Sequence, residues 1–376
     1  MFNIFNILSK KSVTIFLLLI LSYAATNAQM KQAYLDTEAS NEIYKISFYS
    51  ASAGYVAFQN CLGYTTDTGK SFTKKYITAI NVNYNGYSVN LTFGFTIGGV
   101  KAFGQNTILA YGDYGFVPAI LYSTNGGTSF TLVYHSQYNP LQFKTGITDM
   151  IFPQGSSIGY AIDADRILKT INGGLTWQQN ATVADSYFTN LEAPDNLNVF
   201  AISPHTGRIL KTNDGGTNWA LQNLPVLNEA KIGCAHFLTA TTGWLNMYDN
   251  NNNKGYIFKT INGGSSWQQQ NNIDATAFVF NKMKFVDANT GYGLSYQNTI
   301  YKTTDGGVIW EPLPRDNNYA YFFYSHKDLH FFSANQFWAG GAHGFLEYTT
   351  NAGGTPLPKA MAFFLRFVGG FKLFSL

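Results

Sequence analysis

Short apolar stretches recur at even spacing along the chain, and polar turns rich in glycine and asparagine separate them. In each unit a phenylalanine comes first, as at Phe152, and a glycine–aromatic step follows, as at Gly159-Tyr160. A third stretch then ends in Lys-Thr, as at 166–170. Short, evenly spaced strands without sustained helical periodicity predict antiparallel β structure. We name the strands of a unit a, b and c in this order, and strand d follows the next turn.

A motif of eight residues, here called the box, follows strand c in each unit. Its pattern is close to Thr-x-Asp/Asn-x-Gly-x-Ser/Thr-Trp/Phe. Six copies and a weaker seventh occupy 65–72, 123–130, 170–177, 212–219, 260–267, 303–310 and 349–356. Successive copies are 42 to 48 residues apart, with one gap of 58, and such a period is typical of a radial repeat. The predicted fold is therefore all-β, a seven-bladed β-propeller of four-stranded antiparallel blades.

The Asp or Asn at the third box position is expected to serve the turn. Its side chain can accept hydrogen bonds from backbone N–H groups one or two residues further on, and the glycine supplies a positive φ without steric cost. The final Trp or Phe would pack between blades. Catalytic acids or calcium ligands are the alternative, but four of the seven are Asn, which carries out no acid–base chemistry. We assign a structural turn role to Asp67, Asn125, Asn172, Asp214, Asn262, Asp305 and Asn351.

Two segments explain how the repeat closes and where it is interrupted. The seventh unit has strands a, b and c but its box ends in proline, so we expect residues 31–36 to supply its outer strand and close the ring. The long gap contains an insertion at 77–98, in which Asn85-Gly86 separates two alternating runs. Asn-Gly between such runs is the strongest short-range hairpin signal, so the insertion is predicted to form a β-hairpin.

The two ends of the chain differ from the repeats. Residues 1–28 combine two lysines, an apolar run at 13–21 and small residues before Ala28, which predicts a secretory signal peptide. The run is too short to span a bilayer, so no transmembrane segment is expected in the mature chain. Residues 29–355 form the predicted propeller, and 356–376 form an apolar, basic tail that is membrane-seeking, a docking or secretion tail, or a stub. The expected location is periplasmic, cell-surface or extracellular.

Charge and cysteine content narrow the classes of partner. The formal net charge of +3 falls to +1 when the two lysines of residues 1–28 are removed. Only 12% of residues are charged, and the chain lacks the clustered cations that nucleic acid requires, so no nucleic-acid partner is expected.

Cys61 and Cys234 fall in the first and fifth units, which would not be neighbours in a ring. We expect two buried thiols, although an exported protein permits a disulfide.

The boxes resemble the bacterial neuraminidase repeat, or Asp-box, whose pattern is Ser/Thr-x-Asp-x-Gly-x-Thr-Trp. The complete unit, with its Phe, its glycine–aromatic step and its Ile-x-Lys-Thr before the box, more closely resembles the photosystem II assembly/stability factor family of seven-bladed propellers. This resemblance covers roughly residues 40–355 and implies the fold. Propellers with such boxes also include sortilin-type proteins, sialidases and plant-polysaccharide hydrolases, so the resemblance implies no single activity.

Arginine content separates this chain from two of these branches. Sialidases that resemble the box pattern hold their substrate carboxylate with an arginine triad, and photosynthetic assembly factors carry an arginine-rich face. After residue 28 the arginines are Arg166, Arg208, Arg315 and Arg366. The first two occupy equivalent positions on strand c and the last lies in the tail, so three convergent arginines are not expected. A photosystem role is not supported.

Ligand-binding residues are expected in the connections between strands b and c, on the face where the channel of a propeller opens. Aromatic, Asp and Asn side chains there suit sugars or peptides, and ordinary polar loop residues are the alternative. The candidate binding residues are Asp113, Tyr114, Asp163, Asp165, His205, Asp249 and His343. Three of them, Asp113, Asp163 and Asp165, would also supply the carboxylates of a glycosidase if they lay ~5–9 Å apart.

These patterns favour an exported, monomeric propeller that acts as a binding or scaffolding module for a protein or glycan and is not an enzyme. The alternative is a glycoside hydrolase of the Asp-box kind, sialidase-like or polysaccharide-hydrolase-like. His326 and His330 lie four residues apart, as metal ligands often do, but no third ligand is evident and core or surface roles are favoured. We therefore expect no catalytic residue, no metal and no cofactor.

Overall fold

The computed structural model describes residues 30–34, 42–78, 80–84, 87–91, 94–114, 117–136, 146–183, 187–225, 230–249, 254–270, 279–295, 299–313 and 326–353. The predicted signal peptide at 1–28 and tail at 356–376 lie outside these residues. Within them, no helix has the length and apolar character needed to cross a membrane.

The described parts of the chain form thirty β-strands and one short 3₁₀ turn. The strands up to the end of the second blade are β1 (Lys31–Tyr34), β2 (Ile43–Phe48), β3 (Gly54–Phe58), β4 (Leu62–Thr65), β5 (Thr73–Lys75), β6 (Ile80–Tyr84), β7 (Tyr87–Leu91), β8 (Phe95–Ala102), β9 (Ile108–Tyr114), β10 (Val117–Ser123) and β11 (Phe130–His135). The third to fifth blades contain β12 (Ile147–Ile151), β13 (Gly159–Asp163), β14 (Arg166–Thr170), β15 (Gln178–Thr182), β16 (Asn190–Glu192), β17 (Val199–Ser203), β18 (Arg208–Thr212), β19 (Ala220–Leu221), β20 (Ala230–Phe237), β21 (Gly243–Asp249), β22 (Lys254–Thr260) and β23 (Gln268–Gln269). The last two blades contain β24 (Phe280–Phe285), β25 (Gly291–Ser295), β26 (Ile300–Thr303), β27 (Glu311–Pro312), β28 (His326–Phe331), β29 (Phe337–Gly341) and β30 (Leu346–Thr349), with the 3₁₀ turn at Ala342–Gly344.

These strands form seven sheets, and each contains strands a, b, c and d side by side from the inside outwards, in sequence order except in blade seven, whose outer strand is β1. The innermost strands are β2, β8, β12, β16, β20, β24 and β28. They stand side by side around a central channel, and β2 contacts both β8 and β28. The arrangement confirms the predicted seven-bladed β-propeller.

The ring closes as predicted, with the N-terminal strand as the outer strand of blade seven. β1 pairs antiparallel with β30, placing Lys31 opposite Tyr348 and Tyr34 opposite Leu346. Met30, just before β1, is buried among apolar side chains of blades six and seven. One sheet therefore contains strands from both ends of the propeller, which ties the first blade to the last.

The insertion after the first box forms the predicted hairpin. β6 and β7 pair antiparallel from Ile80 and Leu91 to Tyr84 and Tyr87. β6 also lies parallel to β11, the outer strand of blade two. Blade two thus has six strands in place of the predicted four, because the hairpin extends its outer edge.

The first box shows how the repeated motif builds its turn. Thr65 Oγ1 donates to Asp67 Oδ1 at 2.7 Å and accepts from the N–H of Gly69 at 3.1 Å, and Gly69 has a φ of 89°. The same Asp67 oxygen accepts from the N–H groups of Lys70 at 2.9 Å and Ser71 at 3.0 Å. The turn role is as expected, but the donors lie three and four residues on rather than one or two, because the carboxylate spans the whole turn.

Aromatic stacking joins each blade to the next, as the seam between blades five and six shows. Trp244 of strand b stacks on Phe285 of the next strand a, with ring centroids 3.6 Å apart. Its Nε1 donates to the carbonyl of Gly306 in the next box at 2.8 Å, and Lys259 of strand c lies over its ring. The Phe and the glycine–aromatic step of the repeat are therefore two halves of one inter-blade contact.

The same seam recurs elsewhere, including where the ring closes. Tyr160 donates its hydroxyl to the carbonyl of Gly215 in the next box at 3.0 Å. Trp338 of blade seven stacks on Phe48 of blade one at 3.8 Å, and its Nε1 donates to the carbonyl of Thr68 at 3.0 Å. Each box is thus held by the preceding blade as well as by its own turn.

Both cysteines are buried thiols that form no disulfide with each other, which confirms the prediction. Cys61 lies in the apolar cluster between blades seven and one, and Cys234 lies on the wall of the channel. Burial raises the pKa of the Cys234 thiol, so its reactive thiolate form is suppressed.

Candidate functional site

The central channel is the cavity that the ring encloses, and the innermost strands of all seven blades line it. Its volume is about 280 Å³, enough for a small molecule or the end of a peptide. Successive side chains of a strand point to opposite sides, so alternate residues of each strand a reach the channel. The wall therefore consists of rings of equivalent residues, one from each blade.

Two such rings contain most of the charge. The box-side ring consists of the residues paired with the second residue of strand b: Ser47, Lys101, Ile151, Glu192, His236, Lys284 and His330. The second ring lies two residues earlier on each strand a: Lys45, Gly99, Asp149, Asn190, Cys234, Lys282 and Asp328. Strand a runs towards the a–b turn, and the a–b and c–d turns share one end of an antiparallel blade. The box-side ring is thus the one nearer the boxes.

Lys45 in the second ring reaches across blade two to blade three. Its Nζ lies 2.7 Å from Asp149 Oδ1, and Asp149 Oδ2 accepts from the N–H of Leu191 at 2.9 Å. Burial alone would lower the pKa of Lys45, but Asp149 outweighs it and the pKa is well above its ordinary value. Gly99 of blade two lies between Lys45 and Asp149. The ring of Tyr111 fills the space that a side chain at position 99 would occupy.

Asp328 of blade seven, on the other side of Lys45, also contacts one backbone N–H and one lysine. Its Oδ2 accepts from the N–H of Ile46 at 2.8 Å, and its Oδ1 lies 3.9 Å from Lys282 Nζ. Each aspartate of the second ring therefore has one oxygen on a backbone N–H of the neighbouring blade and the other on a lysine.

Glu192 is the acidic residue of the box-side ring. His236 Nδ1 lies 2.8 Å from its Oε2, and Lys284 Nζ lies 4.0 Å from the same oxygen. The other ring nitrogen of His236 lies 3.1 Å from the carbonyl of Phe285. Burial opposes ionisation, but His236 and the ammonium group of Lys284 leave the pKa of Glu192 below its ordinary value. Glu192 is thus a stabilised carboxylate.

Lys101 differs from the other channel lysines. Within the described part of the chain no carboxylate lies at ion-pair distance from it, and its ammonium lies 5.7 Å from the ring of Phe103. Burial, and then the like charge of Lys45, lowers the pKa of Lys101. The channel wall therefore contains a cation that its surroundings do not neutralise.

Acidification is expected to weaken the ring through His330. Burial lowers the pKa of His330 from 6.5 to about 4, and burial with Lys284 also lowers that of His236. Between pH ~6.5 and ~4 the unfolded chain binds protons that the folded chain does not, so the free energy of unfolding falls as pH drops. For His330 alone the loss is about 1–3 kcal/mol, since its side chain is partly exposed. Thermal melts across this pH range measure it.

Two variants isolate the contribution of His330. His330→Gln should make the melting midpoint less dependent on pH in this window. His205→Gln, which removes an exposed ring on a b–c turn, should leave the dependence unchanged. An unaltered pH dependence in His330→Gln would contradict the assignment.

The residues predicted from the b–c connections lie on five separate blades. Asp113 and Tyr114 end β9, Asp249 ends β21, and His343, with a φ of 55°, lies in the 3₁₀ turn of blade seven. His205 is exposed in the turn after β17. Their role as ligand contacts stays a prediction.

Asp163 and Asp165 share one turn of blade three but differ in exposure. Asp163 is fully buried, with Arg166 Nη2 at 2.5 Å and the hydroxyl of Tyr134 at 2.7 Å from its Oδ2. Arg166 also donates to Ser136 of blade two at 2.7 Å. Asp163 therefore fastens two blades together, and of the pair only the partly exposed Asp165 reaches solvent.

The two histidines of β28 face different partners. His326 Nε2 lies 2.9 Å from Glu347 Oε1 of β30, two strands away in the same sheet, whereas His330 Nε2 contacts the backbone of Phe48 in blade one. A register shift between His326 and Asp328 separates them, so their spacing in sequence does not bring the two rings to one site.

Sequence reasoning missed the charged rings of the channel. The available signal was polar residues at alternate positions of otherwise apolar strands, as at Lys282 and Lys284 within Phe280–Phe285. The same signal marks Asp149 in Ile147–Ile151. It was weak because a polar residue in a short strand is also expected wherever that strand faces solvent.

A scan against protein-family models and a sequence comparison with curated proteins both find no match. Solved structures do match the seven-bladed ring. YCF48 from Cyanidioschyzon merolae is 17% identical, with a TM-score of 0.63 over 86% of this chain and 98% of that chain. YCF48 bound to D1 peptide is 17% identical, with a TM-score of 0.62 over 86% and 97%. The GH74 enzyme of Niastella koreensis is 15% identical, with a TM-score of 0.56 over 84% of this chain and 52% of that one. These likenesses show the fold alone.

Proposed function

We propose that this protein is an exported, monomeric propeller that binds a protein or glycan as a binding or scaffolding module and is not an enzyme. The observation that carries the proposal is the state of the channel carboxylates. Asp149 and Asp328 each have both oxygens occupied, by a lysine and by a backbone N–H. The remaining channel acid, Glu192, has a lowered pKa and is held by His236.

Glycoside hydrolysis needs a different arrangement. One carboxyl group must be protonated to act as the general acid, and the other must be free to attack the sugar or activate water. Carboxylates that are paired with cations and hold neighbouring backbone N–H groups instead fix the geometry of the wall. The channel therefore suits recognition of a polar group better than turnover.

A protein partner is supported by apolar side chains on the box face. Exposed large apolar residues in the boxes and the neighbouring a–b turns include Ile171, Leu175, Leu197, Ile261, Val308 and Phe332. Apolar groups concentrated on one face are a common feature of interaction surfaces. The fold neighbour YCF48, which is described as bound to D1 peptide, supports a peptide or protein ligand by analogy only. Export rests on the signal-peptide pattern of residues 1–28.

A binding assay and an activity assay on the same preparation distinguish a binding module from an enzyme. The chain beginning at residue 29 is used in a pull-down panel of glycans and cell-envelope extracts, and in a fluorogenic glycoside screen. We expect a retained partner and no turnover. Turnover that Asp149→Asn or Asp328→Asn abolishes, and that the control Asp287→Asn on an exposed a–b turn leaves intact, would establish the alternative glycoside hydrolase, which the GH74 fold likeness favours.

A further inference from the structure

We propose that the box-side end of the channel binds one carboxylate group at Lys101, beside Ser47 and His330 of the same ring. Lys101, Ser47 and His330 belong to blades two, one and seven, which are successive in the ring. The inference rests on the proposed function in one respect, that the channel serves binding. It adds the chemical class of the bound group.

This end of the channel has donors and, among the described residues, no acid beside Lys101. The acidic residue of the same ring, Glu192, is on blade four, where Lys284 Nζ lies 4.0 Å from its Oε2. Ser47 Oγ accepts from the N–H of Ala102, the residue after Lys101, at 2.9 Å, which leaves its hydroxyl hydrogen to be donated. An anion seated here would meet the ammonium group of Lys101 and the hydroxyl of Ser47.

The charge of the wall favours a monoanion. Four lysines and three carboxylates line the described channel, so with neutral histidines it has one net positive charge. A partly buried cation without a counter-ion is costly, and among the described residues Lys101 has no carboxylate at ion-pair distance. A carboxylate would balance this charge, whereas a phosphate dianion would exceed it and be repelled by Asp149, Glu192 and Asp328.

A second polar group, behind the channel wall, also lacks a partner among the described residues. The hydroxyl of Tyr111 is buried and has no hydrogen-bond partner among the described residues. Tyr111 lies opposite Gly99 in the second ring, close enough to Lys45 and Asp149 for their charges to affect its pKa. A buried hydroxyl without a partner is rare in folded proteins. Both groups, Lys101 and Tyr111, are on blade two, which makes this side of the channel the one with unsatisfied polar groups among the described residues.

The test compares two probes that differ in charge, N-acetylglycine and its neutral amide, N-acetylglycinamide. Calorimetry and thermal melts of the chain beginning at residue 29 should show binding and stabilisation by the acid alone. Lys101→Met should weaken that binding about ten-fold or more, whereas Lys284→Met, which removes the lysine beside Glu192, should weaken it less. Lys70→Met, which removes an exposed lysine of the first box, is the matched control and should bind as the parent does.

The variant at residue 101 is expected to fold. Burial penalises the Lys101 charge, so Lys101→Met without ligand should melt at or above the parent temperature. Lys101→Gln serves as a second variant and should lose binding in the same way. Acetylated tetraglycine, with a free or an amidated carboxyl end, distinguishes the sources: tighter binding of the free peptide indicates a chain terminus, and binding of N-acetylglycine alone indicates a small acid.

Four results overturn the inference. They are equal binding of the acid and the amide, tighter binding of inorganic phosphate, an equal loss in Lys70→Met, and no binding of any carboxylate probe. Each leaves the proposed function standing if the pull-down partner persists. Glycoside turnover, by contrast, would remove the proposed function whatever the carboxylate probes show.

Discussion

A chain that begins at residue 40 is expected to unfold roughly 10 °C below one that begins at residue 29. The shorter chain lacks β1, the outer strand of blade seven, and the buried Met30. It also loses the edge contact between Tyr34 and Phe72, whose ring centroids are 5.0 Å apart. Lost apolar burial and lost strand pairing together amount to about 5 kcal/mol. β30 would then become an unpaired edge at the point where the ring closes.

Met30→Ala in the longer chain is the control for this truncation. It removes the buried side chain but leaves the pairing of β1 with β30, so its midpoint should lie between those of the two chains. Thermal melts followed by circular dichroism measure all three. An unchanged midpoint for the chain beginning at residue 40 would show that β1 does not hold the ring closed.

Trp244→Ala is expected to lower the free energy of unfolding by about 4 kcal/mol, or roughly 8 °C in the melting midpoint. Trp244 is fully buried, its ring lies within 3° of parallel to Phe285, and its Nε1 bonds the carbonyl of Gly306. Removing it opens a cavity between two blades and leaves that carbonyl without its donor. The loss combines packing and a buried hydrogen bond at one seam.

Trp267→Ala provides the comparison for this variant. Trp267 ends the box of blade five, is partly exposed, and meets Phe237 edge-on at 6.0 Å. Its loss should cost about half as much, since less apolar surface leaves the protein interior. Trp244→Phe keeps the stacking but loses the N–H. Its loss of stability should lie between the losses in Trp244→Ala and Trp267→Ala. Equal losses at both tryptophans would contradict the assignment of Trp244 as the principal seam residue.

Much of the fold was predictable because its causes are local. The turn of Thr65 and Asp67 forms from residues within four positions of one another, and the hairpin of 80–91 follows from one Asn-Gly step. Ring closure by β1 followed from counting strands, since the seventh unit lacked an outer one. The sequence did not reveal that box and blade are coupled, as between Tyr160 and Gly215, because the two residues are 55 positions apart.

The candidate site was far less predictable, for two physical reasons. Register shifts on strand a, as between Ile43 and Lys45 or between Ile147 and Met150, change which side chains face the channel, so simple alternation fails there. Ion pairs also form between distant blades: Lys45 meets Asp149 across 104 residues. Asp163, which looked available in its turn, is covered because blade two packs against it.

The sequence by itself determined the number of blades, the strand order within them and the chemistry of every box, since short-range hydrogen bonding and turn geometry set these features. Only the tertiary structure decided which charges share the channel and that, among the described residues, Lys101 has no carboxylate and the Tyr111 hydroxyl has no hydrogen-bond partner. The physical reason is that a ring brings one strand from each of seven distant segments to a common axis. The charge at that axis depends on all seven together and cannot be inferred from any single repeat.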